Sequence, residues 1–338
     1  MLKPWTDVVK LHPDVEAGAL TEAVFAIDLG AIAANDPNVP VVNRDPEAFF
    51  RATYLTNDLR KLLEEVLACL AGQGGYNRVL KLRTPFGGGK SHTLASLLHA
   101  ARTRKSLDSI PEAKGFARPG DVAVAVFDGE KFDARDGKTL ANGQTIQTMW
   151  GWIAWQIDPQ RAYPIVAGHD HDRVSPAGDV IQRLLTEGAG GRPVLILLDE
   201  VLKYMERAAA VTVLDSTLQR QAKDFFQNLT VEVAGSGTAA LVYSLTWSAR
   251  EALGNVGLLA EIDKLAARVD QLREPVSGDE VLPVLQRRLL GDFPDRTVSQ
   301  AVATAYSETV ANMRRAHADT PAERHQADEE GQEMLNRI

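Results

Sequence analysis

Residues 79–94, VLKLRTPFGGGKSHTL, decide the fold of this chain. The run at 79–82 has the composition of a short buried strand, and the residues from Lys90 onward have the pattern of a helix. Three consecutive glycines, 87–89, separate the two. Glycines let successive backbone N–H groups converge on an anion, and the positive end of the following helix attracts the same anion. The stretch therefore predicts a strand, a phosphate-binding loop and a helix in direct succession.

This loop predicts a binding site for ATP and Mg²⁺. Lys90 would reach the β- and γ-phosphates, and the hydroxyl of Ser91 would bind the metal ion. Thr84 stands where the usual pattern G-x-x-x-x-G-K-[ST] has its first glycine, so the loop is a variant of that pattern. The alternative is a plain glycine turn with Lys90 in solvent. The residues predicted to contact the nucleotide are Thr84, Pro85, Phe86, Gly87, Gly88, Gly89, Lys90, Ser91 and His92.

A second apolar run ends in two adjacent carboxylates. Residues 194–198 are apolar, and Asp199 and Glu200 follow directly, as in a Walker B motif. Ligands of open α/β sheets lie at the carboxyl ends of the strands, so both side chains are expected beside the phosphate loop. Asp199 would hold Mg²⁺ through water, and Glu200 would be the base that orients and deprotonates the attacking water. The alternative is a buried strand that ends in a solvated acidic turn.

The fold class follows from further apolar runs with helical segments between them. The runs are residues 78–83, 121–127, 193–199, 238–246 and 269–273. Their alternation with helices predicts an α/β fold with a central five-stranded, mainly parallel sheet and helices on both faces. Together with the glycine loop and the acidic strand, this arrangement resembles a P-loop NTPase. The predicted divisions are an N-terminal arm with helices at 1–72, a P-loop ATPase core at 73–275 and a helical lid segment at 276–338.

Helix starts are indicated at several polar residues. Asp45 followed by Pro46 is typical of an N-cap with proline at the first helical position. Leucines at helical spacing from Asn57 to Leu70 predict a second helix. Ser277 is expected to begin the first lid helix, and we expect the chain beyond 274 to contain helices and no strands.

Two further elements of a nucleotide site are suggested. The strand at 238–246 ends in hydroxyls, and Thr246 or Ser244 resembles the residue that senses the γ-phosphate in P-loop ATPases with an additional strand; either could instead cap a loop or helix. Arg268 occupies a position similar to that of the arginine finger of AAA+ proteins, which completes the site of a neighbouring subunit. Arg250 is a competing candidate, and a solvated charge is the alternative for both.

Four segments together resemble the domain-of-unknown-function 499 family of large predicted AAA+-like ATPases. They are LHPDV at 11–15, FFRATYLT at 49–56, TPFGGGKSH at 84–92 and TMWGWIAW at 148–155. The threonine in place of the first loop glycine agrees with this resemblance. Members are prokaryotic, usually much longer than this chain, and often encoded beside DNA methyltransferases and helicases in phage-defence clusters. The resemblance thus implies a fragment of a defence or DNA-processing ATPase, with DNA, a methyltransferase or a helicase as partners.

Three activities are compatible with these residues. The first is hydrolysis of ATP to ADP and phosphate, coupled to movement of a lid or of a neighbouring subunit in a homo-oligomer. The second is a nucleotide-gated switch or scaffold that turns over slowly and controls the assembly of partners. A third possibility, an assembly that translocates along or remodels DNA, would use the same site. All use the same binding residues, so the patterns leave the choice between them open.

Composition limits the remaining functions. The formal net charge of −8 repels phosphate backbones, so composition alone predicts no nucleic-acid role. No apolar run approaches the roughly 20 residues of a membrane span, and we expect a cytoplasmic protein without a membrane partner.

The single cysteine, Cys69, is expected in the core. Residues 169–172, HDHD, are expected in a polar surface loop with too few ligands for a metal, and Trp152 and Trp155 are expected to pack in the core rather than stack on bases.

Overall fold

The structure, a computed structural model, describes residues 9–18, 27–82, 89–245, 257–258, 260, 270–273, 280–292, 296–318, 320–326 and 329. The chain divides into two compact units, one of residues 1–21 with 285–338 and one of residues 22–284. The predicted boundaries at 72/73 and 275/276 divide the chain by function and not by packing, and they stay predictions.

The elements of the described residues are numbered in chain order. The helices are α1 (Pro13–Glu16), α2 (Leu29–Ala33), α3 (Val41–Arg44), α4 (Pro46–Ala52), α5 (Asn57–Leu70), α6 (Lys90–Arg102), α7 (Met149–Ile157), α8 (Tyr163–Asp172), α9 (Gly178–Arg183), α10 (Val201–Ala208), α11 (Leu218–Gly235), α12 (Val281–Leu289) and α13 (Arg296–Ala316). The strands are β1 (Lys10–Leu11), β2 (Val79–Leu82), β3 (Ala123–Asp128), β4 (Lys138–Thr139), β5 (Thr145–Ile146), β6 (Val194–Asp199), β7 (Thr212–Val213), β8 (Ser216–Thr217), β9 (Ala239–Ser244), β10 (Asp270–Arg273) and β11 (Leu290–Asp292).

A central parallel sheet organises the larger unit. Four strands lie in the order β2, β9, β6, β3, and each neighbouring pair is parallel. The short segment β10 pairs in parallel with β2 on its other side. Helices connect the strands, as parallel strands require. The prediction of an α/β fold with a central parallel sheet is confirmed.

The sheet is buried on both faces. Along β6, Ile196 and Leu198 point into one apolar cluster with α7, α10 and α11, whereas Leu195 and Leu197 point into a second cluster with α5 and α6. Because neither face of this strand meets water, its sequence is apolar at successive positions and does not alternate with polar residues. Cys69 is buried in the second cluster, as expected.

Helix starts agree with the capping signals. The side chain of Asp45 accepts a hydrogen bond of 2.8 Å from the N–H of Ala48, and Pro46 is the first residue of α4. Thr56 accepts similarly from Leu59 at the start of α5. These bonds satisfy N–H groups that a helix leaves unpaired in its first turn. The predicted N-cap at Asp45 is therefore confirmed.

The smaller unit corrects one expectation. Strand β11 pairs with β1 in antiparallel fashion, so the prediction that no strand follows residue 274 is wrong. The N–H of His12 also donates to the carbonyl of Leu289 at 2.8 Å. Such short strands are held by distant partners and leave no alternating pattern of their own. Ser277, the expected start of the lid helix, lies outside the described residues.

Candidate functional site

The described part of the predicted phosphate loop begins at Gly89. This residue is the N-cap of α6 and has a φ of 75°, a left-handed conformation that glycine adopts without a Cβ clash. Lys90 is the first residue of α6, so it lies at the positive end of the helix dipole. The other predicted loop residues, Thr84, Pro85, Phe86, Gly87 and Gly88, and also Thr246, Arg250 and Arg268, lie outside the described residues.

Two predicted metal ligands, Ser91 and Asp199, are in direct contact. The Ser91 hydroxyl donates a hydrogen bond of 2.9 Å to Asp199 Oδ2. The hydroxyl of Ser244, at the end of β9, donates to Asp199 Oδ1. Ser244 is fully buried, and Asp199 is only 5% exposed. Three separate elements, α6, β6 and β9, thus meet at one carboxylate.

The chemistry of this cluster suits a small hard cation. Ser91, Asp199 and Ser244 offer only oxygen atoms, the ligand type that Mg²⁺ prefers. The carboxylate of Asp199 would supply the negative charge and the Ser91 hydroxyl a neutral oxygen. In the structure both hydroxyls donate to the Asp199 carboxylate, which gives each of these side chains a hydrogen-bond partner within the protein. Because all three side chains offer oxygen atoms, the residues present fit a magnesium ion.

Glu200 has an unusual backbone. It caps the N-terminus of α10 in the left-handed conformation, with φ 52° and ψ 39°. Its N–H lies 3.1 Å from Asp199 Oδ1 and 3.3 Å from the Ser244 hydroxyl oxygen, and it donates to both. A residue with a side chain is rare in this region and costs free energy unless its surroundings enforce it. The hydrogen-bonded cluster below it supplies part of that enforcement.

Gly129, in the turn after β3, packs directly on Glu200. A Cβ atom on Gly129 would lie 2.8 Å from the carbonyl carbon of Glu200 and closer still to its oxygen. The Gly129 N–H donates a 2.8 Å hydrogen bond to the carbonyl of Asp199. Glycine is needed here because of this close backbone approach.

Two cationic side chains of α10 reach the turn after β3, and one of them contacts the Glu200 carboxylate. Lys203 Nζ lies 3.8 Å from Glu200 Oε2 and 3.2 Å from Glu130 Oε1. Arg207, one helical turn further along α10, donates to the carbonyls of Gly129 and Glu130, the second at 2.8 Å. Helix α10 therefore contacts the turn after β3 through two cationic side chains.

Asp128 ends β3 and lies opposite Asp199 in the sheet register. Burial raises the pKa of Asp128, and the negative charge of Asp199 raises it further, while the backbone N–H groups of Glu130 and Lys131 oppose the shift. Those N–H groups donate to Asp128 Oδ1 at 2.9 and 3.3 Å. These bonds fix the turn that follows β3.

His92, predicted at the nucleotide, directs its ring toward α4. Its Nε2 lies 3.1 Å from the Thr53 hydroxyl, and its ring stacks on Phe49 with centroids 4.7 Å apart. The ring of His99 lies on Phe49 as well, at 4.8 Å. The side chain of His92 therefore connects the start of α6 to a helix that precedes the sheet.

Several functional-looking residues lie elsewhere. Residues 169–172 belong to helix α8 and not to a loop, so that expectation is wrong; Pro164, in the first turn of α8, suits a helix start.

Trp152 and Trp155 are only half-buried and line a cleft of about 510 Å³ beside β3, while the neighbouring Trp150 is fully buried. Among the described residues no group of three or more His, Cys, Asp or Glu side chains could hold a metal ion.

Lys203 and Arg207 were missed at the sequence level. Lys203 follows Glu200 by three residues on a helix, a spacing at which opposite charges meet, so this pair had a local signal. Arg207 had none, because its partners are main-chain carbonyls of a segment far away in the chain.

The fold and this site define an α/β protein whose parallel sheet gathers serine hydroxyls and carboxylates at the ends of its strands. The chain belongs to the DUF499 N-terminal domain family, whose model matches residues 6–278. None of the curated proteins compared with the chain matches it. Within the part of the chain that the structure describes, no helix combines the length and apolar character needed to cross a bilayer.

Proposed function

We propose that this chain binds ATP with Mg²⁺ at the N-terminus of α6 and hydrolyses it to ADP and phosphate. The observation that carries the proposal is the 2.9 Å hydrogen bond between Ser91 and Asp199. It joins the hydroxyl after the loop lysine to the first carboxylate of the acidic strand. Magnesium chemistry in P-loop NTPases needs these two residue types at one place.

The order of the strands supports a P-loop NTPase core of the additional-strand, AAA+-like class. Strand β9 lies between β2, which leads into the glycine loop, and β6, which ends at Asp199. With β10 beside β2, the proposed core has five parallel strands. In such a sheet the carboxyl ends of adjacent strands share one edge, where a ligand can contact several of them.

Each residue has a defined task in the proposed reaction. Lys90 neutralises phosphate charge, and Ser91 and Asp199 hold the magnesium ion. When bound, the ion would neutralise charge on the phosphates and orient them. Glu200 orients a water molecule and accepts its proton while the water oxygen bonds to the γ-phosphorus and the bond to ADP breaks.

The γ-phosphate sensor is proposed at Thr246 or Ser244. Ser244 is buried and donates to Asp199, so a metal ion held by Asp199 would be coupled to this hydroxyl. We propose for Arg268 or Arg250 the role of completing the site of a neighbouring subunit.

The proposal is tested by magnesium-dependent ATP turnover of the full chain. Glu200→Gln keeps the shape of the side chain and removes the base, so we expect turnover to fall by about 100-fold or more, with ATP still bound. Lys90→Ala should weaken ATP binding itself, because it removes a phosphate contact. Glu206→Gln, an exposed carboxylate on the same helix, is the matched control and should leave turnover unchanged.

Equal and negligible rates in wild type and Glu200→Gln, with ATP bound by both, would instead favour the nucleotide-gated switch.

We further propose a role in prokaryotic phage defence or DNA processing, which rests on family membership. It predicts turnover that DNA stimulates and a DNA affinity that falls steeply with salt. Turnover that is indifferent to DNA would remove this assignment and leave the ATPase intact.

A further inference from the structure

Two cationic side chains of helix α10 bind the turn after β3. Lys203 and Arg207, four residues apart on α10, both reach this turn. Lys203 binds the Glu130 carboxylate, whereas Arg207 binds main-chain carbonyls of the turn. Residues four apart on a helix lie on the same side, so the two contacts act on one surface.

This turn also restrains the backbone of Glu200. Gly129 leaves no room above the Glu200 carbonyl, and its N–H is bonded to the carbonyl of Asp199. The backbone of Glu200 has the left-handed conformation at the start of α10. It cannot rotate without moving the turn that packs on it. Any freedom of the Glu200 carboxylate must therefore come from its own side chain.

Lys203 sits between two carboxylates. Its ammonium is 3.2 Å from Glu130 Oε1 and 3.8 Å from Glu200 Oε2. The Glu130 side chain is 60% exposed, while that of Glu200 is 18% exposed. The ammonium is nearer to Glu130 than to Glu200, so Glu130 draws it away from the Glu200 carboxylate and competes for this contact.

We propose that Lys203 is a positioning residue that restrains the Glu200 carboxylate, and that Glu130 sets the strength of this restraint by competing for the same ammonium. The inference rests on the proposed function, with Glu200 as the base. A carboxylate held by an ammonium must loosen that contact before it can turn toward a water molecule. The restraint therefore slows turnover, and Glu130 relieves it.

The two charges are then expected to act in opposite directions. Lys203→Met keeps the aliphatic side chain but removes the charge, and it should raise kcat for ATP by about twofold to fivefold, the range of a partly exposed ion pair. Glu130→Gln removes the competing carboxylate, so Lys203 is held more by Glu200, and kcat should fall by a similar factor. Neither residue is placed at the nucleotide, so KM for ATP should stay within about twofold in both variants. Lys203→Arg, which keeps the charge, should stay close to wild type.

A double variant tests whether Glu130 acts through Lys203. If it does, Glu130→Gln has no further effect in the Lys203→Met background, and the double variant matches Lys203→Met. Lys203→Gln, which is polar and suits the half-exposed position, repeats the test if the methionine variant unfolds.

The inference is overturned if both single variants change kcat in the same direction, or if Glu130→Gln keeps its full effect without Lys203. In either case a turnover that still depends on Glu200 leaves the proposed function standing. Wild-type turnover that is absent, or unaffected by Glu200→Gln, overturns the proposed function and this inference together.

Discussion

The hydroxyl of Ser91 and the carboxylate of Asp199 are hydrogen-bonded at 2.9 Å, although 108 positions separate them in the chain. Ser91 lies in the first turn of α6, and Asp199 is the last residue of strand β6 in the central sheet. The contact therefore depends on where α6 begins after the glycine loop and on where strand β6 ends.

Removal of the Ser91 hydroxyl should abolish most magnesium-dependent activity. We expect Ser91→Ala to lower kcat/KM for Mg²⁺-ATP by about 10-fold or more, because one neutral oxygen ligand is lost. Ser96→Ala is the control: Ser96 lies on the same helix, and its hydroxyl bonds the His92 carbonyl at 2.8 Å. Turnover titrated with Mg²⁺ distinguishes the two variants. Similar magnesium dependence in both would exclude Ser91 from the proposed magnesium site.

A side chain at Gly129 should destabilise the fold. In Gly129→Ala the new Cβ would overlap the Glu200 carbonyl, and overpacking of this kind costs roughly 1–3 kcal/mol. Gly168→Ala, on helix α8, meets nothing within 4 Å and should be neutral or stabilise by up to about 1 kcal/mol. Urea unfolding of both variants measures the difference. A Gly129→Ala protein as stable as wild type would contradict the close approach.

Asp170 is expected to stabilise the start of α7. Its carboxylate accepts bonds from the Thr148 hydroxyl at 2.5 Å, the Gln147 N–H at 3.1 Å and the Tyr163 hydroxyl at 3.1 Å. Asp170→Ala leaves these donors without their acceptor and should cost about 2–3 kcal/mol. Asp172→Ala, with a side chain 69% exposed on the same helix, should change stability by less than about 0.5 kcal/mol. Equal unfolding free energies for the two variants would refute the assignment.

Protonation of His99 should destabilise the protein. Burial lowers the pKa of His99 below its ordinary value of 6.5, although the contact with the Asn43 carbonyl opposes this shift. At neutral pH the ring is therefore uncharged in the folded state, and the tautomer with a proton on Nε2 donates to that carbonyl at 2.9 Å. A group with a depressed folded pKa binds more protons when unfolded, so its contribution is present above pH 6.5 and is lost as the pH falls below it.

The measurement for His99 is the free energy of unfolding between pH 8 and pH 5. His99→Gln keeps a donor for the carbonyl but does not titrate, so its stability should fall less over this range than that of wild type. The exposed His171, changed to Gln, is the control and should leave the wild-type slope unchanged. A slope that is the same in all three proteins would show that His99 is not the titrating group.

Much of the central sheet was predictable because its signals are local. The β6 run ends where predicted, at Asp199, since a strand buried on both faces needs uninterrupted apolar residues. Asp45 and Pro46 begin a helix where their chemistry requires it. The helical identity of residues 169–172 was missed because a polar, histidine-rich segment has little amphipathic pattern.

The candidate site was predictable in its residue types but not in its contacts. Asp199 and Ser91 were expected to share a metal ion, and the structure brings them together. The support of Glu200 by Gly129, and the sharing of Lys203 between Glu200 and Glu130, could not be predicted, because they depend on how a turn after β3 meets a helix after β6.

Local patterning specified the strands of the central sheet, the helix cap at Asp45, the start of a helix after Gly89 and the acidic end of β6, since each follows from the preferences of neighbouring residues. The order of the strands, the bond from Ser244 to Asp199 and the short pairing of β1 with β11 arose only in the folded chain. The physical reason is distance along the chain: burial and hydrogen bonding between remote segments are decided by packing as a whole, and no short window of sequence contains both partners.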